Sequence, residues 1–343
     1  MAVCQSMKAI RSTSSPTAQW IIWDRAGKSR THFFCFVPFN GPYGHWPAIR
    51  GESQTRFDEI YCDLPLHSIP REGLNRRVIE RYTQRVVEAG GTPNERFAGP
   101  LLLPNETTSL RNYFAQTSLI DDAVGRIMTA LDENGLAEDT IIIYTADHGF
   151  SLGHHGIWGH GLAAWPSSML RPSYHVPLVM AGPGIAIADH DGLVSQIDIP
   201  NTLLHAAGAA LIETDRHDSR VIALDDPGRL VRDALCIEQE ESRAIRTAGH
   251  LYVERFSQTG GTPLPSELYE LESDPGERHD LAAGGDGAAV ASELSAQLKA
   301  YFDRHAAPGF DLWSGGSAKS NITNPAFWQN AWGPEWGCTT LRS

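Results

Sequence analysis

The sequence predicts an α/β fold, a layered sheet with helices, followed by a small antiparallel α+β region. Three observations carry that reading. The run Ile141-Ile142-Ile143-Tyr144 is short, apolar and β-branched, as buried strands are. Just before it, Leu119, Ile120, Ala123, Val124, Ile127, Met128 and Leu131 recur at i, i+3, i+4 spacing and form one helical stripe. Beyond about Asp226 the pattern changes to short strand-like runs separated by turn residues.

Taken in chain order, Pro16 opens a stretch read as a short helix over Thr17 to Lys28. His32 to Asn40, HFFCFVPFN, reads as a buried strand that stops at Gly41-Pro42. Residues 44 to 108 are rich in Pro, Gly and charge, and read as long loops with one helix around Arg76 to Glu88. Arg111 to Asn134 is the clearest helix, with Asn134-Gly135 as its stop. The strand over 140–145 follows, and Val176 to Ala181 is read as another buried strand, closed by Gly182-Pro183-Gly184. Ile197-Asp198-Ile199-Pro200 opens a helix through His205.

In the C-terminal region Cys236 to Gln239, Ala244 to Thr247, Leu251 to Phe256 and Leu268 to Leu271 read as short strands. A turn follows at Ser273 to Gly276, and Ala288 to Arg304 is a second amphipathic helix. The tail from Ala306 carries four of the nine tryptophans and is expected to wrap the body. The expected organisation is 1–225 as the α/β domain, 226–305 as antiparallel sheet plus helix, and 306–343 as tail.

Length and composition bound the function. The 343 residues can bury a substantial core, and 41% hydrophobic with 20% charged content is ordinary for a globular chain. A formal net charge of −13 argues against nucleic acid or an anionic membrane as the main partner. No run approaches the roughly 18 apolar residues of a membrane span, and the first twenty residues hold no apolar core of signal-peptide length. Five cysteines, widely spaced and without a CxxC pair, do not form a disulfide framework. The compartment expected from the chain as written is cytoplasmic, or extracytoplasmic if a segment precedes Met1.

The chemistry concentrates in Thr140 to Gly161, TIIIYTADHGFSLGHHGIWGHG. Asp147 and His148 arrive together in a glycine-punctuated turn just past a strand, where open α/β sheets place their ligands. Five of the 14 histidines fall between His148 and His175. Alone, an Asp-His-Gly turn is a common loop feature. A zinc cluster from His148, His154, His155 and His160 lacks any HExxH or Cys-His spacing.

Five further segments frame this one. They are Phe33 to Pro42, Asp121-Asp122-Ala123-Val124-Gly125-Arg126, Val176-Pro177-Leu178, Gly182-Pro183-Gly184, and Glu267 to Leu271 with Asp274-Pro275 and Glu277. In this order and spacing the chain from about His32 to Arg304 resembles the sulfatase family of the alkaline-phosphatase superfamily. The resemblance implies an alkaline-phosphatase-like layered sheet, here incomplete, with the small antiparallel subdomain behind it. It also implies a sulfuric ester hydrolase that uses a divalent metal, Ca²⁺ in most members, on a small anionic ester. Asp147 and His148 match two metal ligands. His160 stands where the family has a sulfate-contacting Lys, and supplies charge there only when protonated. His155 matches a histidine expected to pack or orient the loop. Tyr43 occupies the family's substrate-histidine place, and His45, two residues on, is the candidate substitute.

None of the five cysteines fits the family's formylglycine motif, C/S-x-P/A-x-R, and formylglycine is expected not to be encoded. Cys4, Cys35, Cys62 and Cys236 lack its pattern, and Cys338-Thr339-Thr340-Leu341-Arg342 has Thr where Pro or Ala belongs. Ser167-Ser168-Met169-Leu170-Arg171 fails in the same way. The chain is therefore expected to be a sulfatase without its first third, weakly active or inactive by itself. Two alternatives stay open: a phosphate or phosphonate ester hydrolase of the same superfamily, and a non-catalytic metal-binding or structural remnant.

Overall fold

A computed structural model describes residues 8–11, 19–22, 33–39, 41–42, 55–70, 72, 75, 76, 78, 80, 81, 84, 107–161, 166–214, 217–239, 241–256, 264–309 and 311–315. In chain order its first elements are β1 (Lys8–Arg11), β2 (Gln19–Ile22), α1 (Asp58–Tyr61), α2 (Thr107–Glu133), β3 (Ile142–Thr145), β4 (Ser151–Leu152) and β5 (Trp158–Gly159). There follow α3 (Arg171–Tyr174), β6 (Leu178–Ala181), α4 (Asp198–Ala206), β7 (Ala234–Gln239), β8 (Ser242–Thr247), β9 (His250–Arg255), β10 (Glu267–Glu270), α5 (Leu281–Gly284) and α6 (Ala288–His305). They group into two units, each described by itself.

The first unit comprises Met1–Arg71, Leu103–Tyr144 and Leu178–Pro183. Its α2 is continuous, and starts before the predicted Arg111. Of its predicted stripe Ile120 and Ala123 are buried, Leu119, Val124, Ile127 and Leu131 are half-buried, and Met128 is 48% exposed; Leu110 and Ala115 complete the buried face. Gly135 ends it at φ +66, and the Leu136 N–H reaches the Leu131 carbonyl at 2.9 Å while the Gly135 N–H reaches Asp132 at 2.9 Å. These are the two bonds of a Schellman cap, a left-handed position that glycine fills without a steric cost. Tyr61 of α1 bonds Ser118 at 2.6 Å, and Arg56 pairs with Asp122 at 2.5 Å.

Three expectations in this unit need correction. The described residues of the helix expected over Thr17 to Lys28, 19–22, form a strand instead: β2 pairs antiparallel with β1, Lys8 opposite Ile22 and Arg11 opposite Gln19. The aromatic and β-branched run Trp20-Ile21-Ile22 favours strand over helix, and that preference outweighs the Pro16 signal. Phe33 to Phe39 is not a buried strand either. It belongs to no ladder among the described residues, and it alternates in exposure, with Phe34 69% and Phe36 74% exposed. The period of two is that of a strand, but one face is left uncovered. The pair β3–β6 forms a two-stranded sheet whose residues are half-buried in β3 and alternately exposed in β6. Neither is the fully buried strand expected. Gly182, just past β6, lets that chain close on residue 140, since a Cβ there would sit 2.5 Å from the Thr140 carbonyl oxygen.

The second unit comprises Glu72–Leu102, Thr145–Pro177 and Gly184–Ser343. Its main sheet runs β10-β9-β8-β7, all antiparallel, in the meander the sequence predicts. Ala244, Leu251, Val253 and Tyr269 pack on one face with Met169 and Leu271. Ile245, Tyr252 and Leu268 pack on the other against Leu294, Leu298 and Phe302 of α6. Those three lie at i, i+4, i+8, the stripe of a surface helix. Gly287 caps α6 at φ +72, where a Cβ would meet Leu268 at 2.6 Å.

Buried ion pairs pin the same unit. Asp198, fully buried at the start of α4, accepts from the N–H groups of Ser195 and Arg220 at 2.8 Å and pairs with Arg232. Arg243 stacks between Phe302 at 3.8 Å and Trp313 at 4.1 Å and pairs with Asp311 at 2.8 Å. That anchors 311–315, which with 306–309 makes up the described part of the predicted tail. No helix among the described residues is long and apolar enough to cross a membrane.

Candidate functional site

The turn after β3 is built by its neighbours in the second unit. Gly149 donates its N–H to the Ser173 carbonyl at 3.1 Å, and a Cβ on it would lie 2.2 Å from the Pro172 carbonyl oxygen. Only glycine allows that approach. On the preceding side Gln196 Nε2 donates to the Ala146 carbonyl and lies 3.4 Å from Thr145 Oγ1. The turn is thus held at both ends, and Asp147 and His148 are displayed between.

Asp147 and His148 are brought together. The His148 N–H donates to Asp147 Oδ1 at 3.0 Å, and Asp147 Oδ2 lies 4.0 Å from His148 Nε2. The Asp147 side chain is 89% exposed and that of His148 39% exposed. His148 Nδ1 lies 2.9 Å from the Gly149 carbonyl. A carbonyl only accepts, so Nδ1 carries the proton and the neutral ring keeps its lone pair on Nε2. That is the nitrogen beside the carboxylate.

His160 joins them from one residue past β5, its ring centroid 5.0 Å from that of His148. Burial, and then His148, push its pKa down to about 4, with Asp147 opposing. Near neutral pH the ring is therefore uncharged and offers one donor and one acceptor, and it would supply the lysine's charge only in acid. Half-burial of the imidazole removes the water that would stabilise the cation. His45 lies outside the described residues.

The loop carrying these groups is a short hairpin. β4 and β5 pair antiparallel, Ser151 opposite Gly159 and Leu152 opposite Trp158. Trp158 is fully buried and meets Phe150 edge-on at 5.7 Å. The tip turns through Gly153 at φ +101, His155 at φ +55 and Gly156 at φ +67. Asn75 clamps it: Nδ2 donates to the His155 carbonyl at 3.0 Å, and its N–H donates to the Gly156 carbonyl at 3.2 Å. His155 is therefore a shaping residue of the tip.

Gln196 and Asn75 were not anticipated. Asn75 had a readable signal, since its Oδ1 accepts from the Val78 N–H at 3.1 Å and caps the helical turn beginning at Arg76. Gln196 had none, because its partner lies 50 residues away.

The arrangement was weighed against the calcium the resemblance implies. A calcium ion takes six to eight oxygens. One exposed carboxylate and two imidazoles do not supply them, and no group of three or more His, Cys, Asp or Glu among the described residues is placed to hold a metal. The described donors do not fit a calcium shell.

Comparison with known proteins locates this site within a family. The family model described as Sulfatase matches residues 18–209, which include the whole turn and hairpin. The choline-sulfatase of Rhizobium meliloti (strain 1021) is 28% identical over 273 residues, 78% of this chain and 50% of its own length. Arylsulfatase K of Bos taurus is 30% identical over 185 residues, 50% of this chain and 33% of its own. The phosphonate monoester hydrolase SpPMH from Silicibacter pomeroyi superposes with a TM-score of 0.52 at 21% identity, covering 69% of this chain and 50% of that one. That likeness is one of fold. The chain spans half the length of the first relative and a third of the second.

Proposed function

The chain belongs to the sulfatase family, and we propose that it forms the part of a sulfate-ester hydrolase that presents Asp147, His148 and His160 to the sulfate group. The observation that carries this is the pinned turn: two side chains at the family's ligand positions held side by side, with His160 against them. On this reading residues 1–225 are the sulfatase α/β part, 226–305 the antiparallel subdomain and 306–343 a tail. The ligand is a small anionic sulfate ester.

The roles follow from charge. Neutral His160 donates one hydrogen bond to a sulfate oxygen, with no net attraction near pH 7. His148 presents Nε2 toward the same space, with Nδ1–H fixed on the Gly149 carbonyl. Asp147, an exposed carboxylate, repels a sulfate unless a cation lies between them. The family's divalent cation answers that need, and Ca²⁺ is the ion proposed at Asp147 and His148. Because the described donors do not complete its shell, no step is assigned to it. Covalent attack needs an activated nucleophile; no Cys here carries the formylglycine pattern, and the Ser at that spacing, in Ser242-Arg243-Ala244-Ile245-Arg246, is buried in β8 with its Oγ donating to Glu241 and accepting from Arg255.

The 343-residue chain is therefore expected to bind the ester weakly and turn it over little. Incubate it with a chromogenic aryl sulfate and excess calcium, beside an Asp147→Ala control, and titrate calcium by calorimetry. Expected are no turnover above the control and a weak calcium heat that the control loses. Turnover at ordinary enzyme rates, about 1–10³ s⁻¹, lost in the control, would point to an overlooked nucleophile, with Cys338 examined first. A wild-type chain without calcium response defeats the ligand assignment and favours the non-catalytic alternative. The phosphate or phosphonate alternative rests on fold alone.

A further inference from the structure

A second polar site lies at the hairpin tip. Glu72, Asn75, Arg76, His155, Gly156 and Arg278 line a cavity of about 390 Å³. Two arginines and one glutamate line it, with Asp274 acting on Arg278 and His155 from nearby, and the pairing decides which charge is free. Arg278 grips Glu72 with both terminal nitrogens, one contact at 2.7 Å. Glu72 also accepts from the His155 backbone N–H, and the Arg278 contact foremost holds its pKa below the usual carboxylate range. The Glu72 charge is thus committed. Arg76 is exposed, and among the described residues no acidic side chain pairs with it.

The walls are preformed. Asn75 uses its backbone N–H, Nδ2 and Oδ1 to fix the tip and cap its own helical turn. Arg76 follows it directly, so its Cα is placed by the same clamp. His155 is pushed below its ordinary pKa by burial and then by Arg278, so near neutral pH the imidazole is uncharged. Among the described residues the cavity then holds the Glu72–Arg278 pair with Asp274 close by, one arginine without an acidic partner and one neutral imidazole. A planar fork with a neighbouring N–H donor suits a compact oxyanion.

We propose that this cavity is an oxyanion subsite in which Arg76 is the principal contact for a sulfate group, free or carried on an ester. It involves none of Asp147, His148 or His160, and it stands or falls apart from the catalytic reading.

The test follows the histidine ring signals by ¹H–¹³C NMR in the full chain. Inorganic sulfate is titrated in one arm and methyl sulfate in the other, with chloride at equal ionic strength as reference. The His155 signal is expected to shift saturably with at least one sulfate species, and the tighter of the two identifies free anion or ester group as the natural source. Arg76→Ala should weaken that binding by about tenfold or more, the loss of one charge-assisted contact, and Arg76→Lys should recover part of it. Arg76 is a surface residue, and an unchanged thermal midpoint in each variant confirms the fold. A His155 response that chloride reproduces, or that Arg76→Ala leaves intact, overturns the proposal. Shifts at His148 report the other site independently, so failure of one reading is not failure of both.

Discussion

In the four-stranded sheet, β8 buries Ser242 through Ile245 and β9 buries Leu251, Tyr252 and Val253. In the two-stranded pair, β3 is only half-buried throughout, and Val179 and Ala181 of β6 are exposed. The two-stranded pair, IIYT with LVMA, is the more apolar of the two regions and carries no charged residue, so composition does not explain its greater exposure. Coverage does. The larger sheet has side chains packed on both faces, by Met169 and Leu271 on one and by α6 on the other. A strand contributes stability in proportion to the apolar area its neighbours remove from water. The comparison teaches that one region is covered on both faces by its own residues, while the apolar strands of the other are incompletely covered by the described residues.

The largest effect should come from the pins of the covered region. Arg232 is 3% exposed in its side chain and pairs with Asp198, itself fully buried, and with Asp218 at 2.9 Å. Arg232→Met removes the cation and leaves the Asp198 carboxylate in place. Breaking one partner of such a pair costs about 3–5 kcal/mol. Urea unfolding followed by tryptophan fluorescence should show that loss. A cost below about 1 kcal/mol would mean that the N–H groups of Ser195 and Arg220 alone satisfy Asp198.

Next comes the core itself. Leu298 is 1% exposed and lies between Leu294 and Phe302 on the buried stripe of α6. Leu298→Ala should cost about 2–5 kcal/mol, the lost transfer energy plus the cavity. The same unfolding curves measure it. A cost near zero would break the comparison, because the sheet would then not depend on its helix.

What could be read in the sequence follows the same division. The meander β7–β10 was legible because each strand pairs with its chain neighbour and each turn carries its own residues. Helix α2 was legible because its stripe and its Gly135 cap are local signals. The β3–β6 pairing joins strands more than 30 residues apart, so its existence could be guessed but its exposure could not. Phe33 to Phe39 shows the limit most plainly: its period of two is present, yet no ladder among the described residues uses it. In the site, Asp147 and His148 were legible as adjacent residues in a turn. The charge state of His160 was not, since burial sets it and burial is a property of the folded chain.

A smaller effect separates the hairpin from the sheet by pH. Burial first, then Arg278, lowers the His155 pKa in the folded chain below its ordinary value near 6.5. The unfolded chain then binds the proton more readily. The stabilisation is complete above about pH 6.5 and is lost as pH falls from there toward the folded pKa. Amide exchange at Leu152 and Trp158 should therefore lose protection between pH 7 and 5, after correction for intrinsic rates. The β8 and β9 amides should change less. His155→Gln should flatten the hairpin's response, with His154, also lowered by burial, leaving a residual slope. Equal losses in both regions would show that acid acts on the whole unit.

The smallest effect belongs to the uncovered strand. Val179 is 59% exposed, and Val179→Thr keeps its β-branched shape while exchanging a methyl for a hydroxyl. At an exposed strand position such a change should lie within about 0.5 kcal/mol. The same substitution at a buried position leaves a hydroxyl without a partner and costs about 1–3 kcal/mol. Val253 in β9, fully buried, supplies that reference within one protein. If Val179→Thr and Val253→Thr cost the same in urea, then β6 is covered in solution by something beyond the described residues, and the contrast between the two sheets dissolves. If the first is silent and the second costs more than about 1 kcal/mol, coverage and not composition is what distinguishes them.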